Sequence, residues 1–137
     1  MRREDWPEKL AEFIASREDC AFSWGVHDCA LFCCDAILAM TGVDMAANFR
    51  GRYSNSGEAA RLMRGGLARV ANGVAAEFKL EPIQVRLARR GDPVLVDFGK
   101  RPALGIVDLD GMRAIGPGPE GLLRAPLEQC IAAWRLP

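Results

Sequence analysis

Apolar positions in the first forty residues follow helical spacing. Trp6, Leu10, Phe13 and Ile14 recur at intervals of four, three and one. That is one face of an amphipathic helix, with Pro7 tolerated in its first turn. A break follows over Asp19 to Gly25. From Cys29 to Met40 the run CALFCCDAILAM is apolar on nearly every side apart from Asp35, which predicts a helix buried all round. Asp28 is placed to be its N-cap, and Gly42 to end it as a C-terminal glycine does. Ser56 to Arg64 reads as a short helix with Glu58 in its first turn, stopped by Gly65 and Gly66. Leu67, Val70, Val74 and Phe78 repeat helical spacing once more, with Gly73 as a weak point inside the run.

After Pro82 the period shortens. The runs IQVRL, PVLVDF, ALGIVDL, MRAI and LLRA have strand length and are separated by polar or glycine-proline turns. The Asp110-Gly111 pair between two apolar runs is a hairpin signal. The tail LEQCIAAWRL reads either as helix or as a turn leading into a closing strand. Helices first and an antiparallel meander afterwards make the expected class α+β. No repeat, low-complexity stretch or linker divides the chain, so residues 1–137 are expected to form one domain.

Composition narrows the function classes. Eighteen Lys and Arg balance eighteen Asp and Glu, for a formal net charge of zero, which removes the electrostatic case for nucleic acid or an anionic membrane. No apolar run approaches the ~20 residues that span a bilayer, and the charged N-terminus lacks the core of a secretory signal. Synthesis in a reducing cytosol is expected. The five cysteines then read as thiols, their odd number arguing against a closed disulfide framework. A zinc or redox site from Cys29, Cys33 and His27, with Cys34 adjacent, matches no standard ligand spacing. No metal or cofactor is therefore expected.

The strongest local signal is WGVHDCALF, Trp24 to Phe32. A cysteine in the first turn of a buried helix meets the positive end of the helix dipole and unpaired N–H groups, and both favour thiolate. Gly25, a few residues upstream, would let backbone approach a substrate. The competing reading makes Cys29 a small core residue that starts a helix. Phe49 to Tyr53, FRGRY, is a basic-aromatic loop in which Arg50 and Arg52 could grip a carboxylate or phosphate, or pair with nearby acids instead. GPGPEG is a rigid turn with no phosphate-loop lysine, so nucleotide binding is not supported. Arg86, Arg89 and Arg90 form a local basic cluster, read as a solvated strand edge.

Asp28-Cys29 heading a long apolar helix, followed at a distance by RRGDPVLVDF, resembles the NlpC-type papain-like cysteine peptidases. In that family the next strand carries a catalytic histidine in a run similar to H-V-G-I-Y. The corresponding run here is ALGIVDL, with Ala103 in the histidine's place. The resemblance spans roughly residues 20 to 115. More narrowly, WGVHDCALF, FRGRY, GDPVLVD, ALGI and the terminal Trp134-Arg135 resemble small proteins encoded in phage and prophage tail gene clusters.

The resemblance implies a papain-like α+β fold with its nucleophile at Cys29 and a role at the tail tip. Partners would be other tail proteins, with peptidoglycan as a further candidate, and the location would be the host cytoplasm during synthesis and the virion afterwards. Trp24, Arg50, Arg52 and Tyr53 are the candidate substrate contacts, with Asp28 more readily a cap than a base. The chain's single histidine, His27, lies two residues before the cysteine. Residues so spaced within a helix point apart. A bend ahead of the helix could still fold the ring toward the sulfur. The expectation is a degenerate scaffold serving as a structural tail component. The alternative is a cysteine peptidase or amidase acting on cell-wall peptides, with Cys29 as nucleophile and His27 as base.

Overall fold

A computed structural model describes residues 1–97 and 101–137. Its helices are α1 (Trp6–Arg17), α2 (Cys29–Thr41), α3 (Ser56–Leu62) and α4 (Leu67–Glu77). Its strands are β1 (Glu81–Ile83), β2 (Pro93–Asp97), β3 (Pro102–Val107), β4 (Arg113–Pro117), β5 (Leu122–Pro126) and β6 (Cys130–Arg135). All pairings are antiparallel, in the order β1-β6-β2-β3-β4-β5. The class is α+β, with the helices ahead of the sheet in the chain.

α2 is the central element. The Asp28 carboxylate accepts from Leu31 N at 2.9 Å, and Gly42 closes the far end in the left-handed conformation, its N–H bonded to Leu38 O. Leu31, Phe32, Ala36 and Met40 are fully buried. α1 lies against α2 through a tilted ring contact of Phe13 with Phe32, centroids 5.2 Å apart, while the rest of α2 packs across β3 and β4. Strand alternation then sorts the sheet. Leu95, Leu104, Ile106, Ile115 and Trp134 join the helix-side core. Val94, Val96, Val107, Ala114 and Ala133 form a second, smaller cluster on the other face.

Two expectations are corrected. The run Ile83 to Leu87 is not one strand: only Glu81–Ile83 pairs with β6, and Val85–Leu87 is a 3₁₀ turn. Leu87 N and Ala88 N bond back to Gln84 O and Val85 O, so local bonds replace the ladder. Nor is the sheet a pure meander. The C-terminal segment is a short 3₁₀ turn, Leu127–Gln129, followed by β6, which returns to lie between β1 and β2. Gly73 does not interrupt α4. Phe98, the last residue of the PVLVDF run, lies outside the described residues.

The Gly91-Asp92 pair explains how the ends of the chain are tied. Gly91 has φ +81°, and a Cβ there would stand 2.7 Å from Met40 Sδ and 2.9 Å from Arg2 Nη1. This turn directs the fully buried Asp92 inward. Its Oδ1 accepts from Arg2 Nη2 at 2.8 Å and Leu136 N at 3.0 Å, while Oδ2 accepts from Arg89 N at 2.9 Å and from Arg135 Nη1. One carboxylate thereby joins the N-terminus, the β2 turn and the end of β6.

Candidate functional site

A tight turn delivers the chain into α2. Ser23 and His27 form an isolated bridge, with His27 N bonded to Ser23 O at 2.8 Å. At its tip Gly25 has φ +77°, and a Cβ there would lie 2.2 Å from the Tyr53 carbonyl oxygen. Only glycine fits this contact. Asp28 Oδ2 takes Gly25 N at 2.9 Å and the Tyr53 hydroxyl at 2.5 Å, while Oδ1 caps the helix. Its oxygens are thus engaged by donors, and it is 1% exposed. Burial and the adjacent Asp28 carboxylate push the Tyr53 phenol well above its ordinary pKa. Asp28 and Tyr53 are a paired support behind the helix start.

Cys29 is the first residue of α2 and lines a groove of about 610 Å³. β3 pairs with β2 from Pro102 to Ile106, but with β4 only through Ile106 and Val107. Beyond that point the start of β3 and the end of β4 contribute to the groove walls. The Leu104 backbone N–H in this segment favours the charged form of the Cys29 sulfur. Trp24 and Phe22, edge to face at 4.9 Å, line the groove with Ala103, Arg101 and Pro119. The GPGPEG turn therefore acts as a wall, held by the Phe22 N–H to Gly118 O bond of 2.9 Å.

Burial raises the Cys29 thiol above its ordinary pKa, and the Asp28 charge adds to that shift. The N–H groups of Leu104, Ala30 and Cys29 itself work against it without reversing it. Desolvation outweighs the helix-start stabilisation that the sequence suggests. Cys29 is consequently a thiol near neutral pH.

His27 belongs to a different network. Its Nδ1 lies 3.0 Å from Arg17 Nη1, and Arg17 Nη2 reaches Asp35 at 3.1 Å. Arginine can only donate, so Nδ1 accepts and the neutral ring carries its proton on Nε2. That nitrogen is buried with no hydrogen-bond partner among the described residues. The ring stands edge-on to Phe32, centroids 5.9 Å apart. Burial, then the Arg17 charge, holds its pKa below the ordinary value, against smaller opposing effects of Asp35 and Asp28. No hydrogen bond links His27 to Cys29 among the described residues.

Arg50 extends this network, bonding Asp35 at 2.7 Å and Asp44 at 2.9 Å. Arg52 donates to Asn48 O at 2.9 Å on the exposed surface. Of the residues singled out from sequence, Trp24 and Cys29 share the groove, and Asp28 and Tyr53 brace it. His27 and Arg50 are held in the Arg17–Asp35 network instead. Leu104 N–H, Phe22 and the Gly118-Pro119 wall were not singled out for the site. Of these, only the glycine-proline run carries a sequence signal, and that signal is for a turn.

Among the described residues, no three His, Cys, Asp or Glu side chains group as a metal site, and no helix is long and apolar enough to cross a membrane. Residues 1–136 match a family described as a domain of unknown function (DUF6950). The chain belongs to the DUF6950 family. No curated protein matches it. For this DUF6950 member, then, the site chemistry rests on the Cys29 groove itself.

Proposed function

We propose that the chain is an NlpC-type papain-like domain that has kept the sulfur position and lost the catalytic relay, and that it serves as a phage tail-tip or tail-assembly component. One observation carries the reading. Ala103, at the position where the resembling family has its histidine, lines the same groove as Cys29, while the chain's single histidine is engaged by Arg17. A general base contributes about 10² to 10⁴ in rate. The groove has a protonated thiol and no imidazole to serve it.

The hydrolytic alternative would require His27 to leave Arg17 and cross to the sulfur. No second hydrogen bond orients the ring for that role among the described residues. The tail assignment rests on the sequence resemblance, and the neutral net charge suits a part that packs among other proteins.

Two measurements test the reading. Purified chain incubated with peptidoglycan peptides should release no product that Cys29→Ala abolishes. Mass spectrometry of purified virions from a lysogen encoding the chain should find it in the tail fraction. Cys29-dependent cleavage, or absence from the particle, would overturn the corresponding half of the proposal.

A further inference from the structure

The arginines around Trp6 form a cavity of about 370 Å³, lined by Arg2, Trp6, Arg89, Arg90 and Arg135 on the far side of the Gly91-Asp92 turn. Four arginines line it, and two of them, Arg2 and Arg135, share the single Asp92 carboxylate, in a chain whose net charge is zero. Two of the cations are also fixed in place. Arg2 Nε bonds Leu136 O at 3.0 Å, its Nη1 bonds Arg90 O at 2.7 Å, and its guanidinium lies 4.2 Å over the Trp6 ring. Arg135 is held by Asp92 and by Leu87 O at 2.7 Å. Both keep N–H groups that these bonds do not use. Arg90 stands over the same indole at 5.6 Å, and neither its guanidinium nor that of Arg89 makes a hydrogen bond or ion pair among the described residues.

We infer that this cavity binds a terminal phosphate group. Pinned guanidiniums present forked donors without a further ordering cost, and such donors match phosphate oxygens bidentately. A dianion suits the charge excess better than a single carboxylate does. Burial is the main cause that holds Arg2 below its ordinary pKa, against the pairing with Asp92 and with smaller contributions from the charges of Arg135 and Arg90. Gly91 contributes by leaving room, since a Cβ there would stand 3.3 Å from the Trp6 ring and press on Arg2. Arg89 and Arg90, two of the three arginines that read from sequence as a solvated strand edge, thus form one wall of a site whose other walls come from both ends of the chain.

The test follows the Trp6 indole N–H by NMR, assigned with Trp6→Phe, during titration of the full chain at constant ionic strength. Inorganic phosphate and pyrophosphate should give saturable shifts, and acetate should not. The double variant Arg89→Ala/Arg90→Ala removes exposed side chains without ion pairs, so it should fold with an unchanged unfolding midpoint. It should weaken pyrophosphate binding roughly tenfold or more, the scale of losing one charge-assisted hydrogen bond. Shifts that fail to saturate, equal shifts with acetate, or an unaffected double variant would overturn the site. Tighter binding of a glutamate-rich peptide or a short oligonucleotide than of pyrophosphate would overturn the assignment to a terminal phosphate.

Discussion

Arg17 Nη1 lies 3.0 Å from His27 Nδ1, which holds the chain's single imidazole as a neutral acceptor on the α1 side of α2. This pairing ties stability to pH. His27 has a folded-state pKa below the ordinary 6.5. As pH falls through 6.5, the unfolded chain takes up the proton and the folded one does not. Stability should therefore be complete above 6.5 and decline toward the folded pKa. Urea midpoints of the native chain should fall between pH 7 and pH 5.5, and His27→Asn, which keeps a neutral acceptor, should flatten that slope. An imidazole titrating at or above 6.5 by NMR would contradict the Arg17 assignment.

Cys29 should be slow to alkylate at neutral pH. Burial and the Asp28 charge raise its thiol, so labelling rate against pH should rise with an inflection above the ordinary value near 8.5. His27→Asn should leave that profile unmoved, because the ring bonds Arg17 and is not hydrogen-bonded to the sulfur. An inflection below 7, or one that shifts with His27, would restore a catalytic dyad.

α2 was legible in the sequence because its limits are local: Asp28 caps a run that is apolar all round, and Gly42 ends it. The place of β6 was not, since period-two alternation says which face a residue occupies and nothing about which strand it pairs with. Val85 to Leu87 reads as strand in the sequence and is a 3₁₀ turn because the pairing of β1 with β6 ends at Ile83. At the site, the order of the motifs associates Cys29 with Ala103, and both line the groove. The partner of His27 was hidden because Arg17 sits on another helix, and nothing in the spacing marks it. The raised Cys29 thiol was hidden for a related reason. Desolvation depends on what the whole fold places over the helix start, whereas the dipole argument needs only the helix.

Asp92 should be among the least replaceable polar residues. It is fully buried and receives two guanidiniums and two backbone N–H groups from three parts of the chain. Asp92→Ala leaves Arg2 and Arg135 facing each other without their counter-charge. Loss of one partner from a buried ion pair costs about 3–5 kcal/mol. Equilibrium urea unfolding should show a loss of that order, whereas Glu12→Ala, which removes an exposed pair with Lys9, should cost under about 1 kcal/mol. Similar losses for the two variants would mean that the Asp92 cluster does not tie the chain ends together.

Gly25 sets how Asp28 meets Tyr53. Any side chain there adopts φ +77° and collides with the Tyr53 carbonyl, 2.2 Å from the new Cβ. Strain at a positive φ alone costs of order 1–3 kcal/mol. The collision adds to it, since the atom in the way is backbone. Gly25→Ala should lower the urea midpoint accordingly and displace the Gly25 N–H from Asp28 Oδ2, shifting the amide resonances of residues 25 and 31 together. Val26→Ala is the control: one residue on, with its side chain 69% exposed, it should change stability by less than about 0.5 kcal/mol. If the two variants behaved alike, the turn would not be what seats the cap, and the position of Cys29 at the groove would have to come from α2 packing alone.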